Sequence, residues 1–221
     1  IGASLVAAQS NLPGSGWKSG QQIQNVGSSN ATIVFDAYGT DGTPTNCSIP
    51  GSGPVAPNAS VTFLTDIHCP VPAGFIGSAV VSADQPIAAI VNVNNRGTSS
   101  AAGQYRGTDG SDVSTSIAFP LVKNAYNGRT TTFYVQNASA SANNITATFR
   151  VGATNYTLNK PGVPGNAMVV ISPADATPPV PAGSVGSLTV TGTQPLAGTS
   201  LEHEASAAVA QSYPSRPIRI V

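Results

Sequence analysis

The chain has 221 residues, about twice the length of a small β-sandwich domain, and only 8% of them are charged, against about 25% in typical soluble proteins. Nine basic residues balance nine acidic ones, so nothing displaces counterions from nucleic acid and nothing pulls the chain toward anionic lipid. No apolar run approaches the ~18 residues of a membrane-spanning helix, and so poorly charged a surface offers little self-repulsion against copies of itself.

In chain order, the sequence starts at Ile1 rather than Met, as a processed chain would and as a piece cut from a longer chain would equally. The segment ASLVAA (Ala3–Ala8) reads as a first strand, with Ile1, Ala3, Leu5 and Ala7 sharing one face. An extended segment then ends at Gln24-Asn25, and in ATIVFDAY (Ala31–Tyr38) Ile33, Phe35 and Ala37 alternate with Thr32, Val34 and Asp36. That period of two predicts a strand with one buried face. Turn signals follow in YGTDGTP and PGSGPVAPN, and then VPAGFIGSAVVSADQPIAAIV (Val71–Val91). Pro and Gly in VPAG predict a turn, the following Gly-Ser opens a strand, and Gln-Pro starts another where the missing N–H does least harm. The only cysteines, Cys47 and Cys69, are expected to form a disulfide closing a short loop, worth roughly 3 kcal/mol. TDGSD (Thr108–Asp112) reads as an ordinary turn, because it lacks most of the oxygen ligands of a calcium loop.

The second part of the chain repeats the first. Gln24-Asn25 returns as Gln136-Asn137, and APNASVTFL (Ala56–Leu64) as VPGNAMVVI (Val163–Ile171). ATIVFDAY returns as ITATFRVG around Phe35 and Phe149, and VPAG…GS…QP returns in VPAGSVGSLTVTGTQPLAGTS (Val180–Ser200). AAGQYRG (Ala101–Gly107) is matched loosely by AVAQSYPS (Ala208–Ser215). These matches predict two domains, 1–110 and 111–221, related by internal duplication. Only SLEHEASAAVAQ (Ser200–Gln211) carries a helical period, and regular short strands with turn signals argue an all-β fold of sandwiches or barrels.

The run FPLVKNAYNGRTTTFYVQNASASANNITATF, followed by VPAG…GS…QP, resembles repeats of secreted and cell-surface bacterial proteins. The first copy has Gly14-Ser15-Gly16-Trp17 where the second has Tyr126-Asn127-Gly128-Arg129. The resemblance spans most of the chain and implies extracellular, tandem immunoglobulin-like β-sandwiches. The Cys47–Cys69 pair is too close in sequence to be the inter-sheet disulfide of antibody domains.

Chemistry is sparse. The two histidines, His68 and His203, lack structural-zinc spacing; in LEHEA, Glu202 and Glu204 on a strand would share a face opposite His203, a solvated face rather than a metal site. There is no nucleophile elbow or phosphate loop. Asp84 aligns with Thr193 and Asp36 with Arg150, so the repeat carries no matching carboxylate pair, and neither an enzyme nor a cofactor is expected. Trp17, Tyr38, Tyr105, Tyr126, Tyr134 and Tyr156 are candidate rings for carbohydrate, with the alternative that they cap the sandwich ends with polar tips in water. Six Asn-x-Ser/Thr sequons, at Asn30, Asn46, Asn58, Asn137, Asn144 and Asn155, are candidate glycosylation sites of a secreted protein. After the second copy comes RPIRIV (Arg216, Pro217, Ile218, Arg219, Ile220, Val221), where a third copy would begin, with Ile218 and Ile220 on one face. A strand without its own domain is expected to pair with something. The leading expectation is therefore a structural subunit of an extracellular filament or surface layer, joined to copies of itself head to tail by strand donation. The N-terminal segment is a rival donor. The alternative is a monomeric cell-surface adhesion or carbohydrate-binding module.

Overall fold

The computed structural model describes residues 2–4, 12, 16–48, 51, 53–72, 74–97 and 102–204. The first half contains β1 (Gly2–Ser4), β2 (Trp17–Asn25), β3 (Ile33–Gly39), β4 (Pro44–Cys47), β5 (Ser60–Leu64), the single helical turn α1 (Thr65–His68), β6 (Gly77–Ala83), β7 (Ile87–Asn95), β8 (Ala102–Arg106) and β9 (Thr108–Asp109). The second contains β10 (Ser114–Asn124), β11 (Arg129–Asn137), β12 (Asn143–Val151), β13 (Thr154–Val163), β14 (Met168–Ile171) and β15 (Ser184–Glu204). The chain is all-β, as its alternating segments predict. Ser200–Glu204, the start of the stretch with a helical period, belongs to β15; ladder bonds to β11 override a weak propensity.

In the first half, one sheet runs β4-β3-β6-β1-β9 and the other β5-β2-β7-β8. They face each other across a core that joins Ile23 and Phe63 to Ile33, Phe35, Ala37, Ala79 and Val81, with Phe35 stacked on Phe63 at 3.9 Å between ring centroids. In the second half, β13-β12-β15-β10 and β14-β11-β15 follow the same order of pairing, around Phe133, Val135, Ile145, Ala147, Phe149, Leu188, Val190 and Leu196. One long strand, β15, here does the work of β6 and β7. Its residues up to Gly192 pair with β12, and those from Leu196 pair with β11. Pro195 falls between the two ladders, where its missing N–H costs no bond. Among the described residues, no strand pairing crosses residue 110.

The repeated motifs occupy matching places. Gly74 and Gly183 of the two VPAG turns have φ of +83° and +79°, a region open to glycine at no steric cost. At Gly77 and Gly186 a Cβ would overlap the carbonyl oxygens of Tyr38 and Arg150 respectively, so the Gly of each Gly-Ser lets the neighbouring strand approach. The pairing corrects one match. Phe35 lies opposite Val81, whereas Phe149 lies opposite Leu188, the counterpart of Ala79. Phe149 therefore stands where Ala37 does, two residues on, and a shift of two keeps both rings on the buried face.

Cys47 and Cys69 form the predicted disulfide, with Cα atoms 4.4 Å apart. Cys47 ends β4 and Cys69 follows α1, so the bond ties the edge strand of one layer to the segment leaving β5 in the other.

Candidate functional site

The halves meet through a third core. Trp17, Val91, Val93 and Tyr105 of the first half pack with Tyr134 and Met168 of the second, with Leu12, Ile76, Val170 and Leu201 around them. Trp17, Tyr105 and Tyr134 are 3%, 7% and 1% exposed. They are neither a sugar platform nor water-facing caps, because all three are packed inside this core, and β11 is buried on both faces from Thr131 to Asn137. Burial, with Tyr134 nearby, pushes the Tyr105 phenol far up. Tyr38 and Tyr156 are half-buried, leaving Tyr126 as the exposed ring of the six. Ser78 Oγ donates to the Asn166 carbonyl at 2.6 Å across the joint. The unbroken run TTTFYVQN was the sequence signal for a strand covered twice.

At the end of the second half, this apolar pattern is replaced by charge. Opposite Asn95 stands Trp17, while opposite Glu204 stands Arg129. Glu202 takes the place of Val93. Its carboxylate accepts from Lys123 Nζ at 2.7 Å and Arg129 Nη1 at 2.9 Å. Burial would raise the Glu202 pKa, but the bonds and charges of Lys123 and Arg129 outweigh it and hold the carboxyl below its usual range. On the opposite face of β15, His203 is 8% exposed. Its Nε2 lies 2.9 Å from Thr132 Oγ1, and its Nδ1 lies 3.0 Å from the Glu204 carbonyl. Burial lowers its pKa, against the raising effects of that carbonyl and of Glu202. The expectation of a solvated face at Glu202 and His203 is thus corrected: Glu202 is half-buried in its pairs with Lys123 and Arg129, and His203 is buried against Thr132.

Other sequence candidates are separate from this cluster. His68 Nδ1 accepts from the Leu64 N–H at 2.9 Å, closing the turn of α1. TDGSD runs from β9 into a turn, with the Asp112 N–H bonded to the Asp109 carbonyl at 2.9 Å and Arg106 paired to Asp112 at 2.7 Å. Among the described residues, no group of three or more His, Cys, Asp or Glu could hold a metal ion. The sequons at Asn30, Asn46, Asn58, Asn144 and Asn155 are exposed. Asn137 is not a glycosylation site in the folded protein. It is fully buried, and its Nδ2 donates to the carbonyls of Ser141 and Pro164 at 2.7 and 2.9 Å.

The second half also presents edges that the first does not. In the first half, β7 is flanked by β2 and β8, and β1 by β6 and β9. Among the described residues, β15 from Ala197 to Glu204 pairs with β11 alone, and β10 pairs with β15 alone. Leu121 on β10 and Val185 on β15 are 47% and 40% exposed. Arg216, Pro217, Ile218, Arg219, Ile220 and Val221, the expected assembly strand, lie outside the described residues, as does most of the rival N-terminal segment.

No protein-family model matches the chain, and no curated protein matches it. Among solved structures, an Anabaena sensory rhodopsin transducer is similar over 39% of this chain and 92% of its own, with 15% identity and a TM-score of 0.32. A likeness at that score carries no argument about fold or function. No helix among the described residues is long and apolar enough to cross a membrane.

Proposed function

We propose that this protein is a structural subunit of an extracellular filament or surface layer, in which copies join head to tail. One observation carries the reading: among the described residues, the second half offers two edges at strand positions that β8 and β9 fill in the first. An unfilled edge is a template for another strand, and a heterologous contact that does not close on itself propagates. The matched pairing order, the matched turns and the Asn25 and Asn137 corners support two immunoglobulin-like sandwiches derived by duplication. The Cys47–Cys69 disulfide supports an oxidising, extracellular setting. Size-exclusion chromatography and negative-stain microscopy of the native protein test the reading. Elongated polymers or sheets are expected, and a monomer at every concentration overturns it.

A further inference from the structure

We propose that the two edges of the second half that are unpaired among the described residues are filled by residues 208–221 of a second copy, in the register that β8 and β9 show in the first half. The inference rests on the assembly reading above and specifies its joint. The acceptor is read from the pairing. Asn25 lies opposite Ile87, and Asn137 opposite Leu196, so Val91 corresponds to Ser200 and Val93 to Glu202. Val91 lies opposite Tyr105, and Val93 opposite Gly103. In AVAQSYPS the residue matched to Tyr105 is Tyr213, which places Tyr213 beside Ser200. Likewise, β9 lies along β1 at Gly2 and Ala3, opposite Val81 and Val80. The residues of β10 opposite Val190 and Thr189 are Ile117 and Ala118, which marks the edge that Arg216–Val221 would reach.

The choice of a second copy rests on the connection that returns the chain from β7 to β8. In the first half its start, Asn95 to Gly97, is fixed by hydrogen bonds. Asn95 Oδ1 accepts from the Gly97 N–H at 2.8 Å, and the Arg96 N–H is tied to the Gly16 carbonyl at 2.8 Å. Asn and Gly are the residues such a reversal needs. At the matching positions the second half has Glu204, Ala205 and Ser206, followed by Ala207 and Ala208. Glu and Ala are helix formers with no turn signal. The sequence after β15 therefore does not carry the Asn-x-Gly that begins this connection in the first half. Handing the same segment to a neighbour satisfies both edges at no cost in contacts, which is the logic of a swapped element.

The test uses the full-length protein with its native disulfide. Oxidation of the Ser200→Cys, Tyr213→Cys double variant should give a ladder of covalent multimers under denaturing, non-reducing conditions, while either single variant gives at most dimers. A monomer-sized internal cross-link would mean that the tail folds back, and overturns the inference. Polymers that form without any such cross-link would also overturn it, yet leave the subunit reading standing. As a second arm, the turn of the first half is transplanted by Glu204→Asn, Ala205→Arg and Ser206→Gly. This variant should run as a folded monomer with the wild-type β-sheet circular dichroism spectrum. Undiminished polymerisation of that folded variant would sink the proposal.

Discussion

A buried asparagine shows how one residue type fixes a corner twice. Asn25 Nδ2 donates to the carbonyls of Ser29 and Val55 at 2.7 and 2.8 Å, and its Oδ1 accepts from the Gly27 N–H. Asn137 repeats the pattern with Ser141, Val163 and Ser139. Asn137→Ala strands several buried carbonyls, each costing about 1–3 kcal/mol when left unsatisfied. The expected total is a loss of about 2–4 kcal/mol, read as a lower urea midpoint; a loss within experimental error would mean water replaces the amide. Glu202 and His203 both contribute to the pH response. The Glu202 carboxyl is held low in the folded state, so its contribution is present above its unfolded pKa and lost as pH falls through the folded one. His203 is also lowered when folded, so its neutral form is favoured and stability falls as pH drops below the unfolded value of about 6.5. Thermal melts should therefore be flat from about pH 7 to about pH 9 and decline on acidification. Glu202→Gln should lower the melting temperature at neutral pH and flatten the decline at the acid end, and a profile unchanged by the substitution would count against the Lys123–Glu202–Arg129 cluster.

At the scale of elements, two devices hold strands together. Gly77 and Gly186 admit the backbone of β3 and β12. A methyl group at either would force the ladder apart, so Gly186→Ala is expected to cost about 1–3 kcal/mol, measured by chemical denaturation. The disulfide joins β4 to the exit of β5 across 22 residues. Its reduction should cost about 3 kcal/mol and loosen the first half, with hydrogen exchange rising in β4 and β5 before β12 and β13. Equal protection losses in β12 and β13 would contradict a local role.

The whole molecule depends on the joint between halves. Tyr134→Ala removes a ring that is 1% exposed from the shared core, and burying large side chains there is worth about 3–5 kcal/mol. We expect a single cooperative transition for the intact chain, shifted as one by this substitution. Two transitions, only one of them moved, would show that the halves unfold independently. Residues 111–221 made alone would expose Tyr134, Met168, Val170 and Leu201 and should be less soluble than the intact chain.

The sequence by itself determined the strands, their buried faces, the turns and the disulfide. Each depends on local spacing: the period of two in Ile33, Phe35 and Ala37, the glycines of VPAG, and two cysteines with no other partner. It also marked the Gln-Asn repeats as equivalent, though not why the asparagine recurs. Only the tertiary structure decided what lies between the halves. Trp17 and Tyr134 are far apart in sequence and carry no pattern that says which apolar face meets which. Tertiary structure also decided the fate of Glu202, whose partners Lys123 and Arg129 come from two other strands, and the shift that set Phe149 against Ala37, because alternation is blind to a slip of two. The edges of β10 and β15 that are unpaired among the described residues were legible only once pairing was known, since an edge is a property of neighbours and a sequence shows each strand alone.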